Sequence, residues 1–186
     1  MYNNILFENV DGFMGSMNQR ELLYNLGKTI QNGAEIGSFK GLSSCIVGKG
    51  MLDSNVKGKK YYCIDTFKAE NIELENEDTF NEFSDNIKRF GIEDFIIPIK
   101  FLSTDKEALD TFKRESLDFI YVDGSHETPD VEKDISLYVP FVKQGGIIMF
   151  HDYTWPSVRN AVNNVEVESG IFPVLIEDDY AVYRKL

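Results

Sequence analysis

The sequence predicts an α/β protein with a doubly wound, mostly parallel sheet, helices on both faces and a C-terminal antiparallel hairpin. Along most of the chain, short apolar runs alternate with amphipathic helical stretches, which is typical of parallel strands joined by crossover helices. The last two apolar runs, residues 171–176 and 180–184, are separated only by a short acidic turn. That spacing indicates a hairpin at the end of the chain.

The individual elements follow from the apolar pattern. The predicted parallel strands cover residues 34–36, 61–64, 95–101, 117–122 and 147–150. The predicted helices cover residues 16–32, 45–51, 80–90, 105–114, 128–142 and 155–169. Gly33 is expected to end the first helix, and Pro98 indicates a bulge or an irregular end in the third strand. Thr128 is expected to cap the fifth helix, with Pro129 at its first position.

The length and the charge limit what the chain can be. Its 186 residues predict a single domain over residues 1–186, with residues 1–15 as a lid or an N-terminal extension. The formal net charge of −12 argues against a surface that binds nucleic acid or anionic membranes. Neither a membrane-spanning run nor a signal-peptide pattern is visible in the sequence. With only two cysteines, both in apolar segments, we expect a cytoplasmic protein.

Polar or glycine residues follow four of the predicted strands at the point where each strand ends. They are Gly37, Asp65, Asp123, His151 and Asp152. Ligands of open α/β sheets bind just beyond the carboxyl ends of the strands, where the loops diverge. We therefore expect these residues to lie at one site.

The first two strand ends indicate a nucleoside. Gly37 and Gly41 flank a turn in which backbone N–H groups can approach a ligand, although tight packing of the strand on the next helix explains the same glycines. The spacing matches neither the dinucleotide fingerprint nor the P-loop. A carboxylate at Asp65 can accept both hydroxyls of a ribose; its alternative role is to form a turn or cap a helix.

The last two strand ends indicate a divalent cation. Such a cation could be bound by Asp123, Asp152 and His151, with water completing its coordination shell. The carboxylate pair favours Mg²⁺, and an imidazole ligand shifts the preference towards Mn²⁺, Fe²⁺ or Zn²⁺. The alternatives are a helix cap at Asp152 and a structural histidine at residue 151. His126, in the same loop as Asp123, could accept a proton from a metal-bound hydroxyl, or could orient Asp123 or cap the next helix.

Three segments together resemble a known family. They are residues 35–43 (EIGSFKGLS), residues 117–126 (LDFIYVDGSH), and residues 145–146 (GG) with 150–153 (FHDY). This combination resembles the class I S-adenosylmethionine-dependent methyltransferases, in particular the small, metal-dependent O-methyltransferase branch with antibiotic-sugar and cephalosporin-pathway enzymes and, more distantly, catechol O-methyltransferases. The resemblance implies a Rossmann-like fold, S-adenosylmethionine and a divalent metal, Mg²⁺ or Mn²⁺. It also implies methyl transfer to a hydroxyl of a small-molecule acceptor such as a sugar or a phenol.

The resemblance also implies a role for each matching position. The residues around the cofactor would be Glu35, Gly37, Ser38, Gly41, Ser43, Asp65, Ser103 and Asp123. Asp123, His151 and Asp152 would be the metal ligands, with His151 at a position where the family usually has an acid. His126 would be the general base of the transfer.

Two other functions fit the same residues. A metal-dependent hydrolase could use the Asp and His cluster, but it would leave the Gly37–Gly41 turn and Asp65 without a role. A non-catalytic subunit could bind the cofactor without turnover. The sequence does not decide the acceptor, the choice between transfer to oxygen and to nitrogen, the metal requirement, or whether the chain forms a homo-oligomer.

Overall fold

The computed structural model describes residues 7–12, 15–68, 78–177 and 179–186, and strands and helices alternate in it from Met17 as far as a C-terminal pair of strands. The strands are β1 (Asn32–Ile36), β2 (Lys60–Ile64), β3 (Ile96–Ile99), β4 (Leu117–Val122), β5 (Val142–Phe150), β6 (Ile171–Glu177) and β7 (Tyr180–Lys185). The helices are α1 (Met17–Gly27), α2 (Leu42–Leu52), α3 (Phe80–Arg89), α4 (Lys106–Leu109), α5 (Thr128–Tyr138) and α6 (Pro156–Ser169).

The strands form one sheet in the order β3-β2-β1-β4-β5-β7-β6. β1 to β5 pair in parallel, whereas β7 lies antiparallel between β5 and β6. This confirms the predicted doubly wound sheet and its C-terminal hairpin. The strand order reverses between β1 and β4, and such a reversal opens a crevice at the carboxyl edge of the sheet. Because β7 is antiparallel, the turn before it lies at that same edge.

The core consists of two apolar layers, one on each face of the sheet. Leu23 of α1 and Ile46 of α2 are fully buried on the first face, and Ile135 of α5 and Val162 of α6 are buried on the second. Burying each such side chain contributes about 1.5–3 kcal/mol to stability. The two layers therefore hold the sheet rigidly between helices, and the loops at its carboxyl edge start from fixed strand ends.

α1 and α2 contact each other through their backbones. A Cβ atom on Gly27 would lie 2.3 Å from the carbonyl oxygen of Val47, and one on Gly50 would lie 2.0 Å from the carbonyl oxygen of Tyr24. Nine of the eleven residues of α2 are buried. Because α2 begins directly after the Gly37–Gly41 turn, this contact fixes where that turn lies.

The prediction that Gly33 ends the first helix was wrong. α1 ends at Gly27, and Gly33 lies inside β1. A Cβ atom on Gly33 would lie 2.8 Å from the ring of Tyr61 and 2.9 Å from the end of the Ile30 side chain. Glycine is therefore needed there for close packing on the first apolar layer, which a local pattern does not reveal.

Three other details depend on the tertiary structure. Pro98 lies in β3, a sheet edge that pairs with β2 among the described strands, and edge strands tolerate proline. Thr128 does not cap α5, because its hydroxyl donates to the carbonyl oxygen of Ser157, 3.0 Å away. The predicted helix over residues 105–114 is shorter, covering only Lys106–Leu109.

The described part of the N-terminal segment packs on the domain. Phe7 and Val10 are buried, and the Phe7 ring stacks on Phe90 with the centroids 5.1 Å apart. Residues 1–6 and 13–14 of the predicted lid or extension lie outside the described residues. Across the described ranges, none of the helices combines the length and apolar character that a bilayer span requires.

Candidate functional site

The ends of β1 and β4 touch at Gly37 and Asp123. Gly37 has a φ of 89°, and a Cβ atom on it would lie 1.9 Å from the carbonyl oxygen of Asp123. Only glycine permits this approach, because other residues rarely adopt such a φ and their side chain would clash. The sheet thus brings together two of the predicted site residues at the crevice.

Asp65 holds the turn that follows β1. Its carboxylate accepts a hydrogen bond from the backbone N–H of Phe39 at 2.7 Å and another from that of Phe67 at 2.6 Å. Phe39 and Gly41 both have positive φ angles, 45° and 88°, so the turn is tightly wound. Each carboxylate oxygen keeps a lone pair that can accept a further hydrogen bond. Asp65 is therefore oriented, partly exposed, and able to bind hydroxyl groups.

Glu35 lies behind this turn instead of facing the crevice. It is fully buried, and its carboxylate accepts hydrogen bonds from the hydroxyls of Ser44 and Tyr61. Burial raises the pKa of Glu35 to about 7, although the hydrogen bonds from the serines of α2 lower it. Ser38 and Ser43 are also buried close by. Glu35 thus fixes the first turn of α2 to β1, a supporting position behind the predicted cofactor site.

Replacing Glu35 by glutamine is expected to change how the free energy of unfolding depends on pH. The pKa of Glu35 is about 7 in the folded chain and ordinarily 4.5, so the folded state binds the proton more tightly. This contribution to stability is fully present below pH 4.5 and is lost as the pH rises to about 7. Urea titrations should show the wild type losing up to about 3 kcal/mol relative to Glu35→Gln across this window. Parallel pH profiles would contradict the assignment.

Four side chains from the ends of β4 and β5 form a hydrogen-bonded cluster. They are Asp123, His126, His151 and Asp152. His126 Nε2 lies 2.8 Å from Asp152 Oδ2, and His151 Nδ1 lies 2.8 Å from Asp123 Oδ1 and 3.3 Å from Asp152 Oδ2. Asp152 has a φ of 50°, a left-handed conformation that aspartate adopts more readily than most residues. This conformation turns its carboxylate towards both histidines.

The charges of the cluster are set by these contacts. Burial alone lowers the pKa of His151, but its hydrogen bonds to Asp123 and Asp152 outweigh burial and raise that pKa to about 10. The hydrogen bond to Asp152 likewise raises the pKa of His126, against the effect of burial. Burial opposes ionisation of Asp152, yet the hydrogen bonds from both histidines hold its pKa below the usual range. These contacts therefore favour the protonated form of the buried His151 imidazole beside two carboxylates.

The donor set of the cluster fits a divalent cation. One ligand atom each from Asp123, His126 and Asp152 lies within 4.8 Å of the others. The two carboxylates suit Mg²⁺ or Mn²⁺, and the imidazole shifts the preference towards Mn²⁺, Fe²⁺ or Zn²⁺. This group contains His126 in place of His151, whose Nδ1 is already engaged by both carboxylates. The role of His151 as a ligand stays a prediction.

Two residues near the cluster were missed by the sequence analysis. Asp179 Oδ2 lies 3.7 Å from His151 Nε2, and the ring of Trp155 lies 4.8 Å from that of His126. Trp155 is 49% exposed, so one side of the indole remains open at the mouth of the crevice. The sequence contained a signal for each of them. Asp179 lies in the turn of the predicted hairpin, and an antiparallel last strand beside β5 places that turn at the carboxyl edge of the sheet. Trp155 follows the predicted site residue Asp152 by only a few positions.

Ser103 lies at the other end of the crevice, beyond Asp65. It follows β3, which pairs with β2, and its hydroxyl donates to Asp134 Oδ1 at 2.6 Å. The structure therefore separates the predicted residues into two groups along the carboxyl edge. The nucleoside group contains Gly37, Ser38, Gly41, Ser43, Asp65 and Ser103, and the cluster of Asp123, His126, His151 and Asp152 forms the second.

Known proteins share this fold and parts of the sequence. A protein-family model described as "Methyltransferase domain" matches residues 34–153. An uncharacterized protein of Acanthamoeba polyphaga mimivirus is 32% identical over 162 residues, which are 80% of this chain and 68% of that protein.

Solved structures agree on the fold. An O-methyltransferase from Bacillus cereus in complex with S-adenosylhomocysteine (SAH) has a TM-score of 0.74 at 16% identity, covering 95% of this chain and 85% of that one. The O-methyltransferase TomG from Streptomyces achromogenes, in complex with S-adenosylmethionine, has a TM-score of 0.69 at 15% identity, covering 92% and 81%.

Proposed function

The chain belongs to the methyltransferase domain family. We propose that it transfers a methyl group from S-adenosylmethionine to a hydroxyl group of a small molecule with the help of a divalent cation. The observation that carries this proposal is the division of the crevice. An oriented carboxylate at Asp65 serves a nucleoside on one side of the Gly37–Asp123 contact, and the Asp and His cluster serves an acceptor on the other. A hydrolase would use only the second group.

The cofactor would lie along the nucleoside group. Asp65 would accept the ribose hydroxyls with the lone pairs that the N–H groups of Phe39 and Phe67 leave free. The turn from Gly37 to Gly41 would surround the remaining part of the cofactor with backbone. Because Gly37 carries no side chain, the ends of β1 and β4 lie against each other, and a cofactor held by the turn after β1 would therefore lie next to Asp123.

The acceptor would lie beside the cluster, where Asp123 and Asp152 would hold the cation. When bound, a divalent cation lowers the pKa of an acceptor hydroxyl and positions it for attack on the methyl group. His126 would then accept the hydroxyl proton. His126 Nε2 lies 2.8 Å from Asp152 Oδ2, so the neutral imidazole would carry its hydrogen on Nε2 and would use the lone pair on Nδ1. Trp155 shields one side of this imidazole from water.

Asp152→Asn tests the metal requirement. Asparagine tolerates the left-handed φ of 50° at this position, so the backbone should be preserved while one anionic ligand is lost. We expect Mn²⁺ affinity, measured by electron paramagnetic resonance, to fall at least about tenfold. Methyl transfer from labelled S-adenosylmethionine should fall with it, and EDTA should abolish transfer by the wild type. Undiminished transfer in EDTA would contradict the metal role, and a wild type that does not bind SAH would contradict the cofactor site.

A further inference from the structure

Lys40, in the turn that follows β1, is a buried lysine with two carboxylate partners. Its side chain is only 8% exposed, and its Nζ lies 3.0 Å from Asp11 Oδ2 and 3.1 Å from Glu82 Oε2. Lysine is rarely buried to this extent unless its charge is paired. The contacts proposed above for the cofactor and the acceptor do not include Lys40, so its burial needs another reason.

The partners of Lys40 come from two separate parts of the chain. Asp11 belongs to the N-terminal segment, residues 7–12, and Glu82 lies in the first turn of α3. The backbone of Lys40 is held as well, because its carbonyl oxygen accepts a hydrogen bond from Asn86 Nδ2 at 2.9 Å. Asn86 lies one turn after Glu82 in α3. Lys40 therefore ties the turn after β1 to two segments that lie outside the sheet.

The residue before Lys40 has a strained backbone. Phe39 has a φ of 45°, in the left-handed region that residues with a side chain rarely adopt. Such a conformation persists only where the surrounding contacts hold it. The backbone N–H of Phe39 donates to Asp65 at 2.7 Å, so the strained residue also orients the carboxylate proposed for the ribose. The packing of α1 on α2 fixes where the turn lies, but it does not fix the conformation at Phe39.

We propose that Lys40 is a positioning residue for the cofactor. Its ion pairs to Asp11 and Glu82 hold the turn, and the held turn keeps the N–H of Phe39 on Asp65. Without these pairs, Phe39 relaxes towards an ordinary φ and the carboxylate loses its orientation. The inference rests on the proposed cofactor site and adds the means by which this site stays formed before the ligand arrives.

Calorimetric titration of Lys40→Met with SAH tests the proposal, because methionine is unbranched like lysine but carries no charge. We expect the affinity to fall about tenfold, since a disoriented carboxylate must be ordered again when the ligand binds. Lys40→Arg keeps the charge, and its guanidinium can bond two carboxylates, so the affinity should stay within about threefold of the wild type. Loss of affinity in Lys40→Arg equal to that in Lys40→Met would contradict the ion-pair role.

Removing both acids tests the same ion pairs from the other side. The double variant Asp11→Ala with Glu82→Ala should also weaken SAH binding about tenfold. Adding Lys40→Met to it should weaken binding by no more than about threefold further, because residues that act through one contact are not additive. A full tenfold loss in both backgrounds would contradict the proposal.

Lys59→Met is the matched control for a general loss of stability. The Lys59 ammonium donates to the carbonyl oxygens of Met51 and Ser54, at the other end of α2 from the turn. The control should lower the free energy of unfolding in urea and leave SAH affinity unchanged. Equal weakening of SAH binding in Lys40→Met and Lys59→Met would show that Lys40 acts only through the fold.

Hydrogen exchange at the Phe39 backbone amide gives a readout that needs no ligand. This amide should exchange faster in Lys40→Met than in the wild type or in Lys59→Met, because its bond to Asp65 opens more often. Unchanged exchange would contradict the positioning role, whatever the affinity. If the wild type does not bind SAH, the proposed cofactor site fails, and this result is distinct from a wild type that binds SAH with the same affinity as Lys40→Met.

Discussion

Replacing His126 by alanine is expected to lower kcat by about 10²–10⁴-fold, because the acceptor hydroxyl loses the group that takes its proton. The KM for S-adenosylmethionine should change little, since His126 lies in the cluster at the other side of the Gly37–Asp123 contact from Asp65. Steady-state methyl transfer at saturating cofactor measures this effect. In the wild type, the rate should rise with pH as His126 loses its proton and becomes able to accept that of the acceptor hydroxyl. This rise should be absent from His126→Ala.

A metal-binding measurement decides whether His126 acts as a base or as a ligand. His126 belongs to the group whose donor atoms lie within 4.8 Å of one another, so a ligand role is geometrically available. If His126 is the base, His126→Ala should keep the Mn²⁺ affinity within about threefold of the wild type. If His126 is a ligand, the Mn²⁺ affinity of this variant should fall further. Asp152→Asn is the matched variant in which affinity should fall. A parallel loss of Mn²⁺ binding in His126→Ala would contradict the assignment as the base.

Replacing Asp65 by alanine is expected to weaken SAH binding by about 10²–10⁴-fold. Hydrogen bonds to a charged group contribute about 1.5–3 kcal/mol each, and both ribose hydroxyls would lose their acceptor. The backbone N–H groups of Phe39 and Phe67 would lose theirs too, so the turn would be less well fixed. Isothermal titration calorimetry with SAH measures the change.

Asp118→Ala is a matched control for Asp65→Ala. The Asp118 carboxylate also accepts two backbone N–H groups, those of Gln31 and Asn32, each at 2.8 Å, but at the amino edge of the sheet. The control should therefore reproduce the loss of stability and leave SAH affinity unchanged. Equal weakening in both variants would show that Asp65 acts only through the fold, and the ribose contact would be contradicted.

The sequence was sufficient to predict a mostly parallel sheet with a C-terminal hairpin, and to predict that the predicted site residues follow the strand ends. Alternating apolar runs are a local signal, and parallel strands necessarily bring Asp65, Asp123 and Asp152 to one edge. Side-chain direction was not predictable in the same way. Glu35 turns inward because Ser44 and Tyr61 come from two other elements to bond it, and no local pattern records that.

The two histidines show the same limit. Both were recognised as members of the site, but their roles depend on which nitrogen faces which carboxylate. His151 Nδ1 faces Asp123 and Asp152 together, while His126 reaches only Asp152 within hydrogen-bond distance. These contacts depend on the conformation of the site, including the left-handed backbone at Asp152, and no local sequence pattern predicts that conformation.

The contact between the backbones of α1 and α2 has a consequence for how the cofactor binds. Gly27 and Gly50 leave no side chain between these helices, so the turn that begins α2 cannot shift unless two packed backbones separate. Its conformational entropy is therefore lost when the chain folds and not when the ligand arrives. A preorganised pocket of this kind binds without a slow rearrangement, and the full strength of each contact with the ligand is retained in the affinity.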